Sequence, residues 1–84
     1  MDCRWRSVRG CVLLRAYLAS DNAPTQKSLA ERLGTTEGVI YAWKVGFRRP
    51  GIDYRDALHR IAGIDPDEWL TTAERRRSRA IRAA

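Results

Sequence analysis

The sequence is poor in histidine and cysteine, two of the residue types most used in metal sites and nucleophilic catalysis. It contains one histidine, His59, and two cysteines, Cys3 and Cys11. A structural zinc site draws its four ligands from paired cysteines or histidines, and no second pair exists here. A disulfide between Cys3 and Cys11 would close a short loop and staple little, so reduced thiols are expected, as in intracellular chains. No nucleophile–base pair, no metal cluster and no phosphate-cradling glycine loop stands out, so neither an enzyme nor a cofactor is expected. His59, among charged neighbours, reads as a surface or packing residue. There is no run of ~18 apolar residues, which excludes a spanning helix. The N-terminus lacks the long apolar core of a signal peptide, so the expected compartment is the cytoplasm. No stretch alternates cleanly between apolar and polar residues, so no strand is expected.

What is present is charge, and its placement says more than its size. The 84 residues carry a net charge of +6 and suffice for one domain with one modest core. Residues 25–50 are basic, with Lys27, Arg32, Lys44, Arg48 and Arg49 against Glu31 and Glu37. Residues 51–71 are acidic, with Asp53, Asp56, Asp65, Asp67 and Glu68 against Arg55 and Arg60. Residues 72–84 are basic again, with Arg75, Arg76, Arg77, Arg79 and Arg82 against Glu74. Such asymmetry gives a domain one face for a polyanion and another that avoids it.

Apolar spacing predicts an all-α chain of five helices. Residues 1–6 read as a weakly ordered lead-in or an extra half-turn, with Trp5 as their one large apolar group. The first helix is expected from about Ser7 to Ser20, with a broad stripe from Val8 to Leu18 weakened by Gly10 near its start. Ser20 to Pro24 is a turn. Thr25 caps a second helix that ends at Leu33, and a third runs from Glu37 to Val45 with Gly46 as its stop. Asp53 is expected to cap the fourth helix, with Asp56 in a capping-box-like position and Gly63 as its end. Asp65-Pro66-Asp67-Glu68 reads as the start of a fifth helix that buries Trp69 and Leu70. Two outcomes stay open beyond it: Thr71 and Thr72 end that helix, or Thr72 caps a weakly apolar continuation to about Arg82. Trp5, Trp43 and Trp69 are expected in the core.

The chain is organised around Gln26–Val45. Leu29, Ala30 and Leu33 line one face of a short helix, and Val39, Ile40 and Trp43 line one face of the next. Gly34 lies between them, where a chain leaving a helix needs positive φ, and Thr35 or Thr36 can cap the second helix. Helices this short do not stand alone, so their apolar faces must close onto other helices. The start of the later helix stays exposed, carrying Thr36, Glu37, Gly38 and Tyr41. That is the layout of a helix-turn-helix with a presented recognition helix.

On Gln26, Ala30, Gly34, Ile40 and Trp43, the stretch resembles the phage repressor and Cro (Xre-type) family. That family's motif has Gln, then a small residue four later, Gly eight later, an aliphatic residue fourteen later and an apolar or aromatic one seventeen later. The following Gly46 and Arg48-Arg49-Pro50 also match, as does the pattern from Ala57 to Leu70, so the resemblance spans about residues 11–71. It implies a repressor-like domain over residues 1–71, with 72–84 as a basic tail or helical extension. It also implies that Thr36, Glu37, Gly38, Tyr41 and Arg48 read bases, with Glu37 accepting from cytosine N4. Gln26, Lys27, Thr35, Lys44 and Arg49 would hold the DNA backbone, Gln26 with help from its helix N-terminus. Two positions depart from the family. Gly38 stands where a base-reading side chain is common, and Lys44 replaces a commonly acidic residue, which thins direct readout and favours recognition of DNA shape.

The implied protein is a sequence-specific regulator of double-stranded DNA, a repressor working as a homodimer on a palindromic operator. With no room for a ligand-sensing domain, its control is expected to come from concentration, autoregulation or a partner protein such as a toxin or anti-repressor. Two other occupations of the fold stay open. One is an antitoxin that represses its own operon, for which only residues 72–84 could supply the toxin-binding extension. The other is a protein–protein adaptor, against which the basic 25–50 segment argues.

Overall fold

The structure is a computed structural model that describes residues 2–83. Met1 and Ala84, the outer ends of the two expected segments, lie outside the described residues. Those residues are all helical and contain no strand: α1 (Arg9–Ala19), α2 (Gln26–Leu33), α3 (Glu37–Val45), α4 (Ile52–Ala62), one 3-10 turn (Pro66–Trp69) and α5 (Thr72–Ala83).

The two central helices have the expected bounds because side chains close both ends. Thr25 Oγ1 accepts from Ser28 N–H at 3.1 Å and caps α2, and Thr36 Oγ1 accepts from Val39 N–H at 3.3 Å and caps α3. Gly34 and Gly46 end the two helices in left-handed backbone. At Gly46, with φ +88°, a side chain is excluded twice, since a β-carbon there would also collide with the Arg6 backbone. The N-terminal turn therefore docks on the end of α3, and Trp5 N–H donates to Gly46 O at 2.9 Å.

Cys11, Leu14, Leu29, Ala30, Ile40, Trp43, Leu58, Ile64 and Trp69 form one core that draws on every helix except α5. Each large side chain fully buried there contributes about 1.5–3 kcal/mol. α1 packs on α3 and on the 3-10 turn, α2 on α3, and α4 on the 3-10 turn. Trp69 joins these layers. Its ring is fully buried and lies on Gly10, where a β-carbon would collide with three ring atoms. The glycine that weakens the first helix as a sequence is what lets the indole approach its backbone. The indole N–H is buried without an acceptor, so shape and not hydrogen bonding seats this ring.

Several expectations change. α1 starts at Arg9, not Ser7, because residues 4–7 turn back on themselves and Val8 N–H donates to Trp5 O at 3.0 Å. Asp53 does not cap α4; Gly51 holds that position and Asp53 lies in the first helical turn, so no capping box forms with Asp56. The Asp65–Leu70 segment makes only a 3-10 turn, although Asp65 does cap it through Asp67 N–H at 2.9 Å. Burying Trp69 against Gly10 and turning the chain at Leu70 leave no length for an α-helix there, and Leu70 is only half-buried. Residues 72–83 are a helix, capped by Thr71 rather than Thr72. Thr71 Oγ1 accepts from Glu74 N–H at 3.2 Å, and Glu74 Oε1 accepts from Thr71 N–H at 2.8 Å, a reciprocal capping box. Trp5 is half-buried at the surface and is not part of the core.

Gly10→Ala tests the seat of Trp69. Helix propensity alone favours alanine by up to ~1 kcal/mol. The collision with a rigid ring instead makes the variant less stable by about 1–3 kcal/mol, seen as a lower thermal midpoint with helical content retained.

Candidate nucleic-acid interface

α3 divides cleanly between support and presentation. Ile40 and Trp43 are buried, and Trp43 packs on Tyr54 of α4 with ring centroids 5.2 Å apart. Thr36, Glu37, Gly38 and Tyr41 are exposed, Tyr41 by 47%. Residues 37, 38 and 41 fall one step and one turn apart, so they share the outward edge of the helix. The Thr36 hydroxyl oxygen is engaged as a cap, and its O–H stays available to donate outward.

The other end of α3 is held as firmly. The Lys44 carbonyl, one of the groups a helix terminus leaves unpaired, accepts from Cys11 Sγ at 3.1 Å and from Arg15 Nη1 at 2.9 Å. Arg15 also donates to Cys11 Sγ at 2.9 Å and to Arg6 O at 3.1 Å, tying α1, α3 and the N-terminal turn together. Burial pushes the Cys11 thiol pKa up, against a lowering effect from Arg15. The thiol therefore stays protonated and serves as a hydrogen-bond donor.

Beside the exposed edge runs an open groove of about 540 Å³ between α3, the loop after it and the start of α4. It brings together four of the predicted base-reading residues, Thr36, Gly38, Tyr41 and Arg48, and adds Ala42 and Phe47. Glu37 lies on the same edge without lining the groove, and Gln26, Lys27, Thr35 and Lys44 lie outside it. Gln26 and Lys27 open α2, where Lys27 is exposed and Gln26 half-buried. Thr35 is half-buried in the turn, with its N–H on Ala30 O at 2.9 Å. Ala42 was legible from spacing, four residues after Gly38 on the same edge. Phe47 gave no signal inside a basic loop; the structure leaves it exposed with the Arg48 guanidinium 5.6 Å from its ring centroid.

The basic pair in this loop is split. Arg48 is exposed, and neither it, Lys27, Lys44 nor Glu37 forms an ion pair among the described residues. Arg49, expected on a DNA backbone, also lines the groove, but its guanidinium is engaged within the fold. Its Nη1 donates to Trp69 O at 3.0 Å and to Glu74 Oε1 at 2.7 Å, and its guanidinium lies 3.8 Å from the Trp5 ring centroid. Glu74 is held down to about pKa 2, first by the hydrogen bond from Arg49 and then by the Thr71 N–H. Pro50, next in sequence, is fully buried, while Arg48 stays exposed.

Comparison with known protein families, with characterised proteins and with solved structures finds no match to this chain.

The split predicts opposite behaviour for two adjacent arginines. Arg49→Ala strands the Trp69 carbonyl and the Glu74 carboxylate and lowers stability by on the order of 2 kcal/mol. Arg48→Ala leaves stability within about 0.5 kcal/mol of the parent. Chemical denaturation of the two variants in parallel checks both.

Proposed function

We propose that the chain is a sequence-specific, double-stranded-DNA-binding regulator of transcription, a helix-turn-helix repressor that binds a palindromic operator as a symmetric dimer. The observation that carries this reading is the division of α3, with a buried edge anchored at both ends and an exposed edge with no internal ion pairs. A helix held this rigidly, with polar and aromatic groups along its free edge, suits insertion into a major groove, whose width admits one helix. The resemblance of Gln26–Val45 to the phage repressor and Cro family supports the same assignment.

In this mechanism the cationic groups outside α3's inner edge set the register on the duplex. Arg48 and Lys44 flank one side, and Lys27 with Gln26 meets a phosphate at the start of α2. Glu37 accepts from a cytosine amino group, and Tyr41 and Ala42 meet a base edge or a thymine methyl. Gly38 contributes no side chain, which lets the duplex approach closely and shifts part of the discrimination to DNA shape. One such module buries too little surface for an operator-grade affinity, so two copies on half-sites about one helical turn apart are required.

Binding of any selected duplex should fall by orders of magnitude between about 50 and 200 mM salt, because phosphate contacts release counterions. Arg48→Ala should lower the steepness of that dependence, and Glu37→Ala should alter the preferred sequence recovered from random duplexes while leaving the salt dependence unchanged. Fluorescence anisotropy across a salt series measures the first two effects. Affinity that stays flat with salt would overturn the proposal.

A further inference from the structure

Away from α3, the N-terminal turn and the start of α5 enclose a cleft of about 420 Å³. Three arginines from separate parts of the chain line it: Arg4 in the N-terminal turn, Arg9 at the first position of α1 and Arg75 in the first turn of α5. The hydroxyl-bearing Ser7, Thr71 and Thr72 line it together with the apolar Val8 and Leu70, and no carboxylate is among its described lining residues. It shares no residue with the groove beside α3.

The positive charge here is undercompensated. Glu68 Oε2 serves two guanidiniums at once, Arg9 at 2.6 Å and Arg75 at 3.4 Å, and Arg75 also donates to Asp67 O at 3.1 Å. Arg4 has only a loose pairing with Asp2 at 3.6 Å, with both side chains exposed. The adjoining start of α1 is also unserved. Its N-cap is Val8, which has no side-chain acceptor to offer, and its first turn holds no acidic residue. α2, α3 and α5 have threonine caps in Thr25, Thr36 and Thr71, and α4, like α1, has no side-chain cap.

We propose that this cleft binds a phosphate-class oxyanion. The guanidiniums of Arg4, Arg9 and Arg75 supply charge-assisted donors, and Ser7 and Thr72 supply hydroxyl donors that orient the anion. A tetrahedral dianion fits this set better than a carboxylate, because it offers more acceptor oxygens to donors arriving from three directions. The phosphate has two sources, a free phosphorylated small molecule or the backbone of a nucleic acid. The site is independent of the function proposed for α3 and stands or falls by its own test.

The test is amide chemical-shift titration of the full chain with inorganic phosphate, against sodium chloride at matched ionic strength. Saturable shifts are expected at Ser7, Arg9 and Thr72 with phosphate alone. Arg4→Gln, a change at an exposed side chain, should weaken the phosphate Kd by about tenfold, the loss of one charged hydrogen-bonding partner. Ser7→Ala should weaken it less, and Arg76→Gln, exposed and outside the cleft, should leave it unchanged. Shifts that follow chloride equally, or an unaltered Kd in Arg4→Gln, overturn the site. A short duplex added in a second titration separates the sources. Perturbation of the same amides with displacement of phosphate assigns the site to a nucleic-acid backbone, and silence there assigns it to a free phosphorylated ligand.

Discussion

One cation joins parts of the chain that are far apart in sequence. The Arg49 guanidinium lies over the Trp5 ring, donates to the Trp69 carbonyl and forks onto Glu74. The N-terminal turn, the α3–α4 loop, the 3-10 turn and α5 thus meet at a single side chain. Arginine alone serves here, since its planar face stacks on an indole while its edge donates to two acceptors, and a lysine ammonium would forfeit both geometries. The Glu74 carboxylate is shared further with the Thr71 amide, so the same contact that seats the loop also starts α5. Remove the guanidinium and Glu74, the capping partner of Thr71, loses its charged partner, while Arg75 and Arg82 still tie the last helix to Glu68 and Asp67.

This contact decides what the neighbouring loop can present. Arg49 is engaged within the fold and Pro50 is buried, while Arg48 stays exposed near Phe47 and lines the groove along α3. α3 itself is clamped at both ends, by the Thr36 cap and by the Cys11 and Arg15 donors on the Lys44 carbonyl. The exposed edge is therefore rigid before any partner arrives, and a preorganised surface loses less entropy on binding. The proposed DNA-binding role rests on this combination of a fixed helix edge and unpaired cations, and not on net charge.

The helices that carry the candidate site were legible because their signals are local. Thr25, Gly34, Thr36 and Gly46 each act on residues within one turn, and α2 and α3 have the bounds these residues imply. The Thr71–Glu74 capping box was equally local, yet Thr72 stood in for Thr71, one position off in a pair of identical residues. Other features depend on partners distant in sequence. Nothing near Gly10 announces the Trp69 ring, and nothing near Arg49 announces Trp5 or Glu74. Two adjacent arginines before a proline look alike in a sequence, and only the packing of three remote segments separates the engaged one from the free one. The Asp65–Leu70 segment has strong helix-start chemistry, but the demand to bury Trp69 shortened it to a 3-10 turn.

The most direct measurement is amide and side-chain chemical-shift mapping of the full chain on a duplex chosen by selection from a random pool. The account predicts saturable perturbation along Gln26, Lys27, Thr36, Glu37, Tyr41, Ala42 and Arg48. It also predicts that the Arg49 guanidinium and the Trp5 and Trp69 indole signals stay at their free positions, because those groups are already engaged inside the fold. Perturbation centred on α4 or on the acidic 3-10 turn, with the α3 edge silent, would contradict it.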